Sequence, residues 1–176
     1  MRGKRAADIM ARHAPEIDGE RIRIRELRPH DHKNLLRMYA HFTPKYVAFG
    51  LPPNERTLRR RWIGNLEHGR LNVIAMSGRR IVGHASIIDV PGKDFCEFIF
   101  FVHQDFRGRG IGTVLAGEIC RRALCLGKKR IWLMIESAND DAVAAVYRIG
   151  FRISGVHGGE YEMELDLEPV AAILCM

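Results

Sequence analysis

The chain has 176 residues, 47% hydrophobic and 28% charged, with 28 Lys and Arg against 21 Asp and Glu for a formal charge of +7. That balance suits one folded domain with its own core, and it excludes disorder, a collagen-like repeat or a disulfide scaffold as descriptions of the whole. No stretch approaches the ~20 apolar residues of a membrane helix, so no membrane span is expected.

Arg21 to Arg25 alternates charged and apolar residues and predicts a half-buried strand. Pro29 precedes a helical stretch whose apolar positions are Leu35, Leu36, Met38 and Tyr39. Thr43 to Pro53 reads as loop, broken by Pro44, Gly50, Pro52 and Pro53. Asn54 is placed to cap a second helix running to His68. Leu71 to Met76 and Ile81 to Val90 are predicted strands around a Ser77-Gly78 turn, and Pro91 to Asp94 makes the next turn. Phe95 to Val102 is the most apolar strand, expected at the centre of the sheet and covered on both faces. From Gly110 to Leu126, Ile111, Val114, Leu115, Ile119, Ala123 and Leu126 recur at helical period, and Gly127 ends the helix. Lys129 to Ile135 is a strand, and Asn139 caps a helix that reaches Arg148 and closes at Gly150. Phe151 to Val156 and Tyr161 to Leu167 form a hairpin across Gly158-Gly159. The expected fold class is α/β: a single domain with a mixed, mostly antiparallel sheet of about seven strands and about four helices.

The positive surplus favours anionic partners, among them nucleic acid, acidic membranes and phosphorylated cofactors. It lies in patches such as Arg56 with Arg59 to Arg61, and Arg121, Arg122 and Lys128 to Arg130, while Glu160 to Glu168 is acidic. Cys96, Cys120, Cys125 and Cys175 form no CxxC pair and read as reduced, mostly buried thiols of a cytoplasmic protein; no metal site is expected. The basic N-terminus lacks an apolar segment and is not read as a secretory signal.

The most informative segment runs from Arg107 through Gly108, Arg109, Gly110, Ile111 and Gly112 to Thr113. It joins the apolar strand to a helix N-terminus, where free N–H groups and the helix dipole make an anion site. Glycines let the backbone approach phosphate oxygens. No Lys follows Gly112 as a Walker loop requires, and the spacing fails the dinucleotide fingerprint.

The stretch Val102 to Gly112 resembles the acetyl-CoA motif of the GNAT N-acetyltransferases: Gln or Arg, two residues, Gly, one residue, then Gly or Ala. Arg107, Gly110 and Gly112 fill its fixed positions. A second signature, an Asn-capped helix ending in Gly-Phe, is matched by Asn139, Ala142, Gly150 and Phe151. The resemblance assigns residues 20–168 to a GNAT acetyltransferase domain, with 1–19 an N-terminal extension and 169–176 a C-terminal tail. It implies acetyl-CoA as cosubstrate. Backbone groups of Phe100 and Val102 would pair with the acetyl and pantetheine portion, as an added strand would. A bulge between Phe100 and His103 would splay that strand from the next and open a slot. Amides of Gly108, Arg109, Gly110, Gly112 and Thr113 would hold the pyrophosphate, and Asn139 would contact the cofactor arm. Arg148 is placed to meet a cofactor phosphate. Many members carry Pro where this chain has Gln104. The family's tyrosine acid would fall at Val146; Tyr147, the candidate for that catalytic role here, lies one residue late, about 100° around the helix, and water or direct thiolate departure could replace it.

Transfer to an amine requires a base, because a lysine-type amine near pKa 10.4 is mostly protonated at pH 7. Glu97 is the candidate. It shares a strand face with Ile99 and Phe101, where desolvation raises a carboxylate pKa. Protein-lysine acetyltransferases of this superfamily carry a Glu at this place, and the stretch from Ile24 to Pro44 is similar to theirs. The expected reaction is direct attack by a primary amine, on a protein lysine or a small molecule, in a ternary complex. A non-catalytic acetyl-CoA sensor is the alternative that the displaced tyrosine supports. A nucleic-acid-binding module would leave the glycine turn and Glu97 unexplained. A homodimer is compatible with the sequence. His84 and His103 are read as structural hydrogen-bonders, Trp62 and Trp132 as packing, and Asp89 as a contact for a cationic substrate.

Overall fold

The computed structural model describes Asp8 and residues 15–43, 52–68 and 71–174. The greater part of the N-terminal extension, most of the loop expected from Thr43 to Pro53, and Cys175 lie outside these residues. The chain enters through a small ribbon, β1 (Glu16–Ile17) and β2 (Glu20–Arg21). Its turn is Asp18-Gly19, with φ of 52° and 76°. Both turn positions are left-handed, which is why Asp-Gly suits them. Next come β3 (Arg23–Glu26), a 3₁₀ turn at Pro29–Asp31, α1 (His32–Ala40) and α2 (Arg56–Glu67). The cap of α2 is Glu55, one residue beyond the expected Asn54; its carboxylate accepts from the Thr57 and Leu58 amides at 2.7 and 3.1 Å.

The remaining elements are β4 (Leu71–Ser77), β5 (Arg80–Asp89), β6 (Phe95–Val102), α3 (Ile111–Cys125), β7 (Arg130–Glu136), α4 (Asp140–Ile149), β8 (Arg152–His157), β9 (Glu160–Asp166) and α5 (Glu168–Leu174). The main sheet has seven strands in the order β3-β4-β5-β6-β7-β9-β8, antiparallel throughout except for the β6–β7 pair. The sheet is the mixed α/β type expected. The hairpin at the N-terminus and the last helix are additions to the expected order. Among the described residues no helix is long and apolar enough to cross a membrane.

One face packs on α3 and α4 through Cys96, Phe98, Ile111, Leu115, Ile119, Val146 and Ile149. The other packs on α1 and α2 through Leu35, Met38, Tyr39, Ile63, Ile74 and Ile81, with Trp62 and Phe101 against them. β6 is central, as expected, but it is not covered along its length: Cys96 and Phe98 are buried, and Ile99 to Val102 are only half-buried. Of the thiols, Cys96 and Cys120 are buried, whereas Cys125 is exposed.

Two features hold the helices at the distances the site needs. Gly83 on β5 has no room for a side chain. A Cβ there would stand 2.8 Å from Leu115 of α3 and 3.3 Å from the Phe101 carbonyl. On the other face a buried polar chain ties α1 and α2 to the sheet. Asn72 donates to the Leu66 carbonyl at 3.0 Å, and its Oδ1 lies 3.0 Å from His84 Nε2. Because that oxygen only accepts, Nε2 carries the hydrogen, and Nδ1 accepts from the Tyr39 hydroxyl at 2.7 Å. Burial pulls the His84 pKa down to about 3.

Gly83→Val is expected to lower stability by about 1–3 kcal/mol through overpacking against Leu115, read as a lower urea midpoint at unchanged slope. His84 predicts a pH dependence. The unfolded chain takes up a proton below pH ~6.5 and the folded chain does not until about 3, so stability falls as pH drops through that window. The native chain should lose about 2 kcal/mol more than His84→Gln between pH 7.5 and 5, measured by urea unfolding at both values.

Candidate active site

The site begins where β6 and β7 separate. They pair at Phe95–Arg130, Cys96–Ile131 and Glu97–Trp132 and no further. On its other edge β6 stays in unbroken register with β5, from Asp89–Cys96 to Gly83–Val102. The opening therefore arises without the bulge expected in the strand: the neighbour departs while β6 runs straight. Antiparallel pairing alternates the direction of main-chain groups. The His103 amide donates back to the Val82 carbonyl at 2.9 Å, which sets the phase. Odd-numbered residues of β6 serve β5, and Phe98, Phe100 and Val102 turn their main-chain groups toward the opening. The Val102 carbonyl accepts from Arg107 Nε at 3.1 Å.

At the far end of the opening lies the glycine turn. A 3₁₀ turn at Gln104–Phe106 leads through extended Arg107 into Gly108 (φ 71°) and Gly110 (φ 83°), the N-cap of α3. Both glycines sit in left-handed conformations that side-chain-bearing residues avoid. A Cβ added at either would meet no atom within 4 Å, so conformation and not crowding demands glycine there. Gly112 differs: its added Cβ would stand in ordinary van der Waals contact with the Phe100 ring at 3.4 Å and Val102 at 3.6 Å, because the first turn of α3 lies on β6. Val114 makes the first amide bond into the helix, to Gly110 at 3.2 Å. The amides of Ile111, Gly112 and Thr113 precede it and have no partner within the helix. Because β6 and β7 are parallel, the N-termini of α3 and α4 come to the same end of the sheet, flanking the opening. Asn139 caps α4, its Oδ1 accepting from the Ala142 amide at 3.3 Å. That leaves the Asn139 amide nitrogen as its remaining polar group.

The flanking side chains are occupied by the protein itself. Arg107 bonds to Val102 and to the Thr43 carbonyl, and its guanidinium lies 5.1 Å over the Phe42 ring. Arg109 pairs with Asp18 at 3.0 Å. Thr113 is buried. What the turn offers an anion is its main chain. Val146, at the family's tyrosine position, is in the core, and Tyr147 is 42% exposed on the outer face of α4; Arg148 is exposed beside it.

Glu97 stands on the opposite face of β6 from Phe98 and Phe100, beside Ile88 and Trp132, at the last pair before the strands part. It is half-buried, and desolvation raises its pKa above the ordinary carboxylate value. The Trp132 indole N–H is buried and makes no hydrogen bond to the described residues. Cross-strand pairing continues this face outward: Trp132 with Glu164, Met134 with Glu162, Glu136 with Glu160. The acidic segment seen in the sequence thus lies on the same face as Glu97 but one strand beyond Trp132, where Glu164 stands 3.9 Å from Arg130 and Glu162 3.3 Å from His157. Period-2 alternation on β9 carried this signal, but its alignment with Glu97 depends on pairing through β7. Asp89 is corrected. It pairs with Cys96 on the other face and its carboxylate is held by Lys128, so it does not face the Glu97 side. Trp62 packs edge-on against Tyr39 and Phe101, with ring centroids 5.0 and 5.6 Å apart. His103 contacts Arg80 and caps the Gln104 turn.

A sequence profile of the acetyltransferase (GNAT) family matches residues 4–151. A mycothiol acetyltransferase of Corynebacterium aurimucosum is 35% identical over 60 residues, 34% of this chain; the match spans only a fifth of that protein's length. Among solved structures, the GNAT domain of S. lividans PAT superposes with a TM-score of 0.75 at 21% identity, covering 85% of this chain and 93% of its own. A GNAT superfamily phosphinothricin acetyltransferase from Sinorhizobium meliloti, solved with acetyl-CoA, gives 0.66 at 18% identity over 82% and 88%. At these identities the structures establish a shared fold. With the profile spanning most of the chain, the glycine turn in place and the fold shared, the protein belongs to the GNAT acetyltransferase family.

Proposed function

We propose that this chain is an acetyl-CoA-dependent N-acetyltransferase that acts on a primary amine by direct attack in a ternary complex. The observation that carries the reading is the parting of β6 from β7 after Glu97, which leaves an open strand edge running up to the glycine turn. An open strand edge suits the amides of a pantetheine arm, and a helix N-terminus with free amides suits a pyrophosphate. Main-chain groups of Phe100 and Val102 take the first role. Amides of Gly108, Arg109, Gly110, Gly112 and Thr113 take the second, and the Asn139 side-chain nitrogen is available to the cofactor arm.

Glu97 then acts as base. Its raised pKa brings it nearer the range where a carboxylate accepts a proton from an ammonium group effectively. It stands where β6 and β7 diverge, so an amine approaching from the α1 and α2 face would meet Glu97 before the thioester. Loss of its proton leaves a neutral nitrogen that attacks the acetyl carbonyl; the C–S bond breaks, the nitrogen releases its second proton to water to give the amide, and the departing thiolate takes a proton from water. The half-buried Glu97 carboxylate, with the acidic stretch of β9 one strand beyond Trp132, favours a cationic acceptor, for which a lysine side chain on a protein and a polyamine are the two sources. A second reading, a sensor that binds acetyl-CoA without transfer, rests on buried Val146 and exposed Tyr147 at the place of the acid.

Calorimetry with acetyl-CoA tests the cofactor. Binding is expected, with a rise in melting temperature equivalent to about 2.7 kcal/mol at a hundred times Kd. Gly112→Val, which pushes methyls against Phe100, should weaken it by tenfold or more, about 1.4 kcal/mol. No heat and an unchanged melt would overturn the reading. Glu97→Gln is expected to lower kcat by about a hundredfold or more, with acetyl-CoA affinity nearly unchanged. The rate should rise with pH along a limb whose midpoint lies above the ordinary carboxylate value, and this limb should vanish in the variant. Thiol release with lysine peptides and polyamines measures both; release of thiol by the native chain eliminates the sensor.

A further inference from the structure

Gln104 stands where many members of the family carry Pro, and its side chain reaches across the molecule. Its Oε1 accepts from the Thr43 amide at 3.1 Å, and its Nε2 donates to the His41 carbonyl at 2.8 Å. Arg107, three residues on, donates to the Thr43 carbonyl and lays its guanidinium on Phe42. Four contacts therefore bind His41–Thr43 to Gln104–Arg107. A Pro at 104 could make neither of the two carboxamide bonds.

The joined segments serve different halves of the reaction. His41–Thr43 follows α1 on the Glu97 side of the sheet, where Phe42 packs edge-on against Phe101 at 5.5 Å. Phe101 shares a strand face with Glu97. Gln104 to Arg107 is the tight turn that runs straight into Gly108. It is closed by bonds from Phe106 to the His103 carbonyl at 2.9 Å and from Arg107 to the Gln104 carbonyl at 3.3 Å.

We propose that Gln104 and Arg107 form a latch that couples occupancy of the glycine turn to the His41–Thr43 end of α1, with Gln104 as a positioning residue for the acceptor side. The inference rests on the diphosphate reading of the turn. An anion held by the amides after Gly108 restrains that turn. The restraint passes to the Gln104 and Arg107 side chains and through them to the Phe42–Phe101 wall. Coupling of this kind is reciprocal, so an acceptor that engages the wall tightens cofactor binding by the same factor.

The Thr43 amide, which donates to Gln104, is the reporter. Hydrogen exchange is followed in the full chain with coenzyme A as the probe. In the native chain coenzyme A is expected to slow exchange at residues 110–114 and, by about fivefold or more, at Thr43. In Gln104→Ala the slowing at 110–114 persists and that at Thr43 is lost. Thr43 exchange that is unchanged or accelerated in the native chain overturns the latch, as does slowing that survives in Gln104→Ala. If residues 110–114 themselves do not respond, the diphosphate reading falls and the latch with it, a pattern distinct from loss at Thr43 alone. Should Gln104→Ala fail to melt like the native chain, Gln104→Glu takes its place. It keeps an oxygen for Thr43 but loses the donor to His41; a partial loss of protection is expected, and full protection overturns the proposal.

Discussion

Two parallel strands that pair for three residues and then separate set the conditions for everything else in this molecule. A strand edge inside a sheet is normally satisfied by its neighbour, and an exposed one is a template for another extended chain. Here the edge is opened in the middle of a seven-stranded sheet, between two helix N-termini and between two packed faces. The sheet tolerates this because β6 remains fully paired with β5, and because β7 is secured by β9 along its whole length.

The alternation of β6 then gives its two faces different side chains. One face gives Phe98 and Phe100, stacked with centroids 5.0 Å apart, as part of the apolar floor under α3 and α4. The other gives Glu97, Ile99 and Phe101 to the α1 and α2 side. The main chain between them looks into the opening. A half-buried carboxylate on one face and an open strand edge thus belong to a single extended segment.

The chain is basic overall, but the arginines beside the glycine turn are engaged by Thr43, Val102, Phe42 and Asp18. The turn's capacity for an anion rests on oriented amides, which need no side-chain charge and do not compete with those contacts. On the Glu97 face the glutamates of β9 lie among basic side chains, Glu164 with Arg130 and Glu162 with His157.

The strands and helices could be read from periodicity, and the turn at Gly108 to Gly112 from its glycines between an apolar strand and a helix, because those signals lie in neighbouring residues. The strand face of Glu97, shared with Ile99 and Phe101, could be read from alternation. The cap of α2 shifted by one residue because a Glu side chain can reach the same amides as an Asn before it. The absence of a bulge, the removal of Asp89 to the far face, the alignment of the β9 glutamates with Glu97 across Trp132 and the reach of Gln104 to His41 and Thr43 were not readable in advance. Each depends on which strands lie side by side and on where segments remote in sequence come to rest. Local order is dictated by backbone stereochemistry and hydrophobic spacing, which operate over a few residues; the meeting of Glu97, the glycine turn and the end of α1 is set by packing among elements that no local pattern encodes.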